Sequence, residues 1–203
     1  MKRRSVIAGL GSVSLAPVAV AARASGMAGI DGIVIRGHWR ARVTIGAPRI
    51  VFGTNGAPPE GVSVTRSGST VTIVRAASAA GDGPLELRVA LSHLRGIATS
   101  GNVTLDVVDT SDRAVFLDLA GSGVVRATGA VPLLRVTTSG TVDADVTGLV
   151  ATAARVHARQ RSRLAVRATE TLAIVAVDEA HVTHAGTANV RVTLRGGATV
   201  GAR

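Results

Sequence analysis

The sequence predicts an all-β fold built by repetition, a β-solenoid preceded by an N-terminal β-hairpin region, and three observations point to it. Helical periodicity is hard to find beyond the first two dozen residues, whereas short apolar/polar alternations broken by Gly, Ser, Asn, Asp and Pro run throughout. The apolar content is aliphatic: 31 Val and 20 Thr favour strands, while Trp39, Phe52 and Phe116 are the only aromatic residues among 203. From His93 onward a small polar turn followed by Val or Leu recurs, with anchors at Val103, Val124, Val142, Leu164, Val182 and Val200, spaced 21, 18, 22, 18 and 18. A period of that size, made of strands and tight turns, marks a stack of β-coils in which each unit buries its apolar face only against its neighbours.

The chain opens Met-Lys-Arg-Arg, and residues 5–22 then carry no charge, which is the order of a secretory signal peptide. Small-x-small sites at Ala19-Val-Ala21 and Ala22-Arg-Ala24 place the expected mature start between Ala22 and Gly26, so residues 1–24 read as a leader and the protein as exported to the periplasm, the cell surface or the medium. An uncleaved anchor fits less well, because the segment is short and diluted by Gly9, Gly11, Ser12, Ser14 and Pro17. No transmembrane segment is expected in the mature chain. Residues 25–203 read as one domain, with strands and a cap over 25–91 and repeated coils over 92–203.

In the first part, strands are expected at residues 32–36, 40–45, 49–52, 61–66, 69–75 and 84–91, divided by Gly53-Thr-Asn-Gly56, Arg66-Ser-Gly68 and Gly81-Asp-Gly83-Pro84. Ser67-Gly68 between two alternating runs signals a short hairpin turn. In the second part, mid-sized aliphatics stacked coil upon coil explain the scarcity of rings, which would overpack a narrow interior. The hairpins are expected to cover one end of the stack, whose edges are otherwise unpaired.

The runs Leu85 to Val103, Leu117-Asp-Leu-Ala-Gly-Ser-Gly-Val124 and Leu134-Arg-Val-Thr-Thr-Ser-Gly-Thr-Val142 resemble the head domain called GIN, found in auto-transporter adhesins, in which a strand, a Ser-Gly or Gly-Ser-Gly corner and another strand recur. Residues 182–186 and 190–200 are similar to the closing coils of that family. The resemblance implies a right-handed parallel β-helix and an adhesin-like envelope module. Arg161-Ser-Arg163 and Glu179-Ala180 depart from the family's glycine corners, so the later corners are expected to differ in shape.

Charge and composition narrow the chemistry. Lys+Arg 23 against Asp+Glu 13 gives +10, and removal of residues 1–24 leaves 19 against 13, with Lys2 the only lysine. The absence of Cys excludes disulfides, thiolate metal sites and a Cys nucleophile. Within residues 155–167, Arg155, His157, Arg159, Arg161, Arg163 and Arg167 alternate with Val156, Ala158, Leu164 and Val166, so they form a candidate ridge able to hold phosphate or carboxylate bidentately. Anionic envelope glycans or lipopolysaccharide are the partners such a ridge would take. The plainer reading is a solvated outer face that discourages aggregation. Specific nucleic-acid binding is not expected, since stacking aromatics and the familiar DNA-binding motifs are missing.

Carboxylates cluster at Asp106, Asp109, Asp112 and Asp118, and again at Asp143 and Asp145. Polysaccharide-cleaving β-helices use such groups, and calcium sites do too, but Asp109-Thr-Ser-Asp112 falls where a turn is expected. Asp145 is expected to pair with Arg167 one coil later. His181 and His184 fall on opposite strand faces and His93 and His157 are distant, so no metal set, catalytic triad or cofactor site is expected. Two classes of function follow: a non-catalytic binding or structural module, and an enzyme acting on acidic polysaccharide.

Overall fold

The computed structural model describes residues 27–53, 56–77 and 83–203; the expected leader lies outside them. The described residues are all-β, with strands β1 (Gly32–Ile45), β2 (Arg49–Phe52), β3 (Val62–Ser67), β4 (Thr70–Arg75), β5 (Leu85–Leu91), β6 (Gly96–Thr110), β7 (Ala114–Ala158), β8 (Arg163–Ala176), β9 (His181–Ala185), β10 (Asn189–Leu194) and β11 (Thr199–Ala202). The β3–β4 hairpin turns at Gly68, whose φ of 59° suits the residue.

Parallel pairing dominates. β6 lies against β7 with Gly96 opposite Phe116 and Leu105 opposite Val125. β7 lies against β8 with Ala144 opposite Leu164, and β8 against both β9 and β10, with Leu164 opposite Val182 and Leu172 opposite Val190. β11 closes the series on β9, Val200 opposite Val182. Each step advances the chain by 17 to 20 residues, close to the spacing of the anchors. The sheet is open, running β11-β9-β8-β7-β6-β1-β4-β3, with β10, β5 and β2 attached beside this path.

The first part of the chain is more deeply built in than hairpins would be. β1 is one strand, and it lies between segments that follow it in sequence. Its first half pairs with β4 on one side and β6 on the other, Ile35 facing Ile73 and Thr99. Its second half pairs with β5 and β6, Ala41 facing Leu87 and Leu105. All of these pairings are parallel; the antiparallel ones are β3 with β4 and β2 with β5. Ile33, Ile35, Trp39, Ala41 and Val43 are at most 2% exposed, and partners on both edges take up the backbone N–H and C=O groups of a strand so deeply placed. Trp39 donates its indole N–H to the Arg36 carbonyl at 2.9 Å and packs on Phe52, ring centroids 6.1 Å apart, so two of the three rings sit together at this end.

Beyond β1 the interior is a column of aliphatics, among them Ile97 on Leu117, Leu105 on Val125 and Val146 on Val166. Two anchors are displaced from the expected column. Val124 is 42% exposed, because Gly123 takes the place above Val103, and Leu164 stacks on Ala144 instead of Val142.

The corners explain why glycine recurs. Gly37, Gly101, Gly121 and Gly140 have φ of 114°, 103°, 98° and 90°. A Cβ on Gly101 would lie 2.5 Å from the Gly37 carbonyl oxygen, and one on Gly121 or Gly140 would collide with the carbonyl oxygen of Gly101 or Gly121. Later corners are differently shaped, as the departures from the glycine pattern imply. Gln160 and Asp178 occupy them with φ of 60° and 64°, and strands that run unbroken through the glycine corners stop at Ala158 and Ala176. Side chains replace the lost closeness: the Gln160 N–H donates to the Asp178 carboxylate at 3.3 Å, and the buried Thr138 and Ser162 hydroxyls are 2.9 Å apart.

Gly121→Ala should therefore lower stability by about 3 kcal/mol or more, a loss of roughly 6 °C or more in Tm. Gly46→Ala, where a Cβ meets nothing within 4 Å, should leave Tm nearly unchanged. Thermal denaturation of the two variants checks this, and equal Tm values would show that the corners are not tightly constrained.

Candidate functional site

The arginines of residues 155–167 surround one corner. On the last turns of β7, Arg155 and His157 alternate with Val156 and Ala158, which are 3% and 0% exposed. Arg159, Gln160 and Arg161 make the turn, and on β8 Arg163 and Arg167 flank the buried Leu164 and Val166. The five arginines are exposed and His157 is half-buried. The six residues do not lie along one straight strand. Arg155 is opposite Ala173 and His157 opposite Val175, whereas beyond the turn Arg163 lies between Asp143 and His181, and Arg167 between Val150 and Ala185. The set therefore wraps the corner, with the exposed Gln160 and the buried Ala165 interrupting the alternation. Beside it, Gly140, Thr141, Gln160, Arg161, Asp178 and Glu179 line a groove of about 560 Å³.

His157 is held in a defined state. Arg159 donates from Nε to His157 Nε2 at 3.1 Å, which places the neutral ring's proton on Nδ1. Burial, followed by the charges of Arg159 and Arg135, lowers the His157 pKa below the usual 6.5. The corner thus carries its positive charge on guanidinium alone.

Two of the clustered carboxylates, Asp112 and Asp145, are engaged by their own chain. Asp112 accepts from the Leu94 N–H at 2.6 Å and faces His93 Nδ1 at 3.1 Å, joining two neighbouring turns. The expected turn at residues 109–112 is present between β6 and β7, with Asp109 at φ 55°. Asp145 is opposite Ala165, not Arg167, because Leu164 pairs with Ala144 and not with Val142; Arg167 falls opposite Val150, beyond a register shift after Val146. Asp145 instead accepts from the Thr147 hydroxyl at 2.6 Å and its N–H at 3.1 Å, and lies 4.0 Å from Arg203. The Thr147 hydroxyl, then its N–H and the charges of Arg203 and Arg126, lower the Asp145 pKa against the opposing effect of burial. Asp106 stands opposite Arg126, and Asp143 opposite Arg163. His181 is hydrogen-bonded through Nδ1 to the Thr199 hydroxyl. Among the described residues, no three His, Asp or Glu side chains are placed to hold a metal ion, and no helix is long and apolar enough to cross a membrane.

A second concentration of arginine is not evident in the sequence. Arg40, Arg42, Arg49 and Arg88, with Glu86 and Asp106, line an open groove of about 500 Å³ on the outer face of β2, β5, β1 and β6. The alternation in Arg40-Ala-Arg42-Val43 and Glu86-Leu-Arg88 signals which way these side chains point, but not that the two runs are neighbours.

The family described as "putative auto-transporter adhesin, head GIN domain" matches residues 65–188, and the chain belongs to that family. Among solved structures, a putative adhesin from Bacteroides fragilis is similar with a TM-score of 0.66 at 12% identity, over 85% of this chain and 91% of the other. A putative adhesin from Parabacteroides distasonis is similar with a TM-score of 0.51 at 13% identity, over 86% and 92%. At such identities the likeness is one of fold. No curated protein matches the sequence.

The state of His157 has a measurable consequence. By NMR titration it should ionise below the usual value of about 6.5, and Arg159→Gln should raise its pKa by removing a neighbouring charge. Because the folded chain takes up this proton less readily than the unfolded one, His157 should contribute stability above pH 6.5 that is lost as pH falls towards its folded pKa. A His157 pKa at or above 6.5 in the native protein would contradict the contact.

Proposed function

We propose that this protein is an exported, non-catalytic binding or structural module of the cell envelope or surface, adhesin-like in use, in which residues 25–203 act as one domain after a signal peptide. In this reading the parallel repeats wind as a right-handed β-helix, and Arg155, His157, Arg159, Arg161, Arg163 and Arg167 engage anionic envelope glycans or lipopolysaccharide. The observation that carries it is the placement of five exposed guanidinium groups around one corner, beside an open groove. Guanidinium forks match carboxylate and phosphate oxygens, and a rigid corner presents several at once without ordering a loop. Membership of a family named for adhesin heads, and fold likeness to proteins named as adhesins, support the same class. The engagement of Asp112 and Asp145 by their own chain favours a module over a polysaccharide-cleaving enzyme, which needs carboxylates converging on substrate.

A binding screen with acidic glycans and lipopolysaccharide at two salt concentrations tests the proposal. Wild type should bind, more tightly at low salt. Arg159→Ala/Arg161→Ala/Arg163→Ala should lose about tenfold or more in affinity and show a shallower salt dependence. Binding by the triple variant equal to wild type would overturn the assignment of the corner.

A further inference from the structure

We propose that the groove lined by Arg40, Arg42, Arg49 and Arg88 is a second oxyanion-binding site, independent of the corner arginines, that takes an extended ligand carrying at least two carboxylate or phosphate groups. Arg42 on β1 lies opposite Arg88 on β5 and opposite Asp106 on β6, and Asp106 in turn lies opposite Arg126 on β7. One row of outward side chains therefore reads Arg88, Arg42, Asp106, Arg126 across four strands. From Arg42 to Arg126 the signs alternate, the arrangement that stabilises neighbouring strands. At Arg88 and Arg42 it fails, and two guanidinium groups stand directly opposite one another on strands about 4.8 Å apart. Like charges in that relation are destabilising, so the row departs from the pattern that solubility and stability would favour.

Asp106 opposite Arg42 and Glu86 beside Arg88 offset the pair only in part. Arg49 adds a third guanidinium one strand further out, opposite Ala90, and Arg40 a fourth two residues along β1, opposite Glu86. Four arginines thus share the groove with two carboxylates. The one ion pair among them is Arg88 with Glu86 at 3.8 Å, both side chains half-exposed or more, a contact worth little in water. Among the described residues, the side chains of Arg40, Arg42 and Arg49 make no ion pair or hydrogen bond, so their donors are available. The backbone beneath them is fixed, since Ala41, Val43, Leu87 and Val89 on the opposite face are at most 2% exposed. The guanidinium groups are consequently anchored on a rigid sheet, where adjacent strands let Arg42 and Arg88 share one oxyanion while Arg40 or Arg49 reaches a second.

The test uses the whole mature protein with two probes, polygalacturonate for carboxylate and inorganic polyphosphate for phosphate, each titrated at two salt concentrations by calorimetry. Three forms are compared: wild type, Arg42→Gln/Arg88→Gln, and Arg159→Gln/Arg161→Gln. For at least one probe, wild type should show a class of sites that the corner variant keeps and for which the groove variant loses about tenfold or more in affinity, with a smaller salt dependence. The probe that distinguishes wild type from the groove variant identifies the oxyanion. Without ligand, the groove variant should have a Tm equal to or above that of wild type, because a like-charge contact has been removed. A fall of several degrees would assign these arginines to structure and overturn the proposal. So would undetectable binding of both probes to wild type, or unchanged binding by the groove variant. Loss of binding in the corner variant alone would refute the groove and leave the corner assignment standing; loss in the groove variant alone would support the groove and leave the corner to its own screen with acidic glycans and lipopolysaccharide.

Discussion

Successive repeats of this chain approach one another to backbone hydrogen-bonding distance along almost their whole length, corners included. Strands tolerate that approach, because side chains stand perpendicular to the sheet and neighbours stay about 4.8 Å apart. Corners tolerate it only where the backbone turns with positive φ and carries no Cβ directed at the carbonyl of the repeat before, as at Gly101, Gly121 and Gly140. Where Gln160 and Asp178 stand instead, the ladder breaks into separate strands, and a hydrogen bond from the Gln160 N–H to the Asp178 carboxylate adds to the backbone bonds between repeats beside the corner. The same spacing governs the interior. A residue facing inward meets its counterpart one repeat away, so Val, Leu, Ile and Ala stack without conflict, and the paired rings of Trp39 and Phe52 lie at the end where β2 covers β5.

Stacking that forms columns inside also forms rows outside. An outward residue is placed beside its register partners whether or not their charges suit one another, which makes the outer face a record of competing demands. Asp106 beside Arg126 satisfies stability. Arg42 beside Arg88 does not, and the arginines around Gln160 gather positive charge on both sides of a turn. Membership of the adhesin-head family suggests a surface or binding module, and these two surfaces are where the proposed binding would take place. They lie on different parts of the stack, one on β1, β2 and β5 and the other at the junction of β7 and β8.

Much of the fold was legible because it depends on local pattern. The alternation at residues 49–52 coincides with β2, that at 69–75 with β4 to within a residue, and Ser67-Gly68 is the turn between β3 and β4. The departure of the later corners from glycine announced their altered shape. Pairings fixed by distant parts of the chain were not legible. Nothing in residues 32–45 states that β5 and β6 will lie on either side of β1. Nor does the spacing of anchors reveal that Gly123 takes the place expected for Val124, or that Leu164 pairs with Ala144 and so puts Asp145 opposite Ala165. A corner longer or shorter by one residue exchanges inward and outward positions beyond it, so site residues could be assigned to a face but not to their neighbours.

The placement of β1 between β5 and β6 is the claim on which both the buried end of the stack and the arginine groove rest. Because the chain contains no Cys, pairs of introduced cysteines report it without interference. Arg42→Cys with Arg88→Cys, and Arg42→Cys with Asp106→Cys, should each form a disulfide under mild oxidation, since neighbouring strands bring Cα atoms within bridging range. Arg88→Cys with Asp106→Cys, separated by β1 at about 10 Å, should not. Mass measurement of the three oxidised proteins decides the matter, and a disulfide in the third pair with none in the first two would contradict the account.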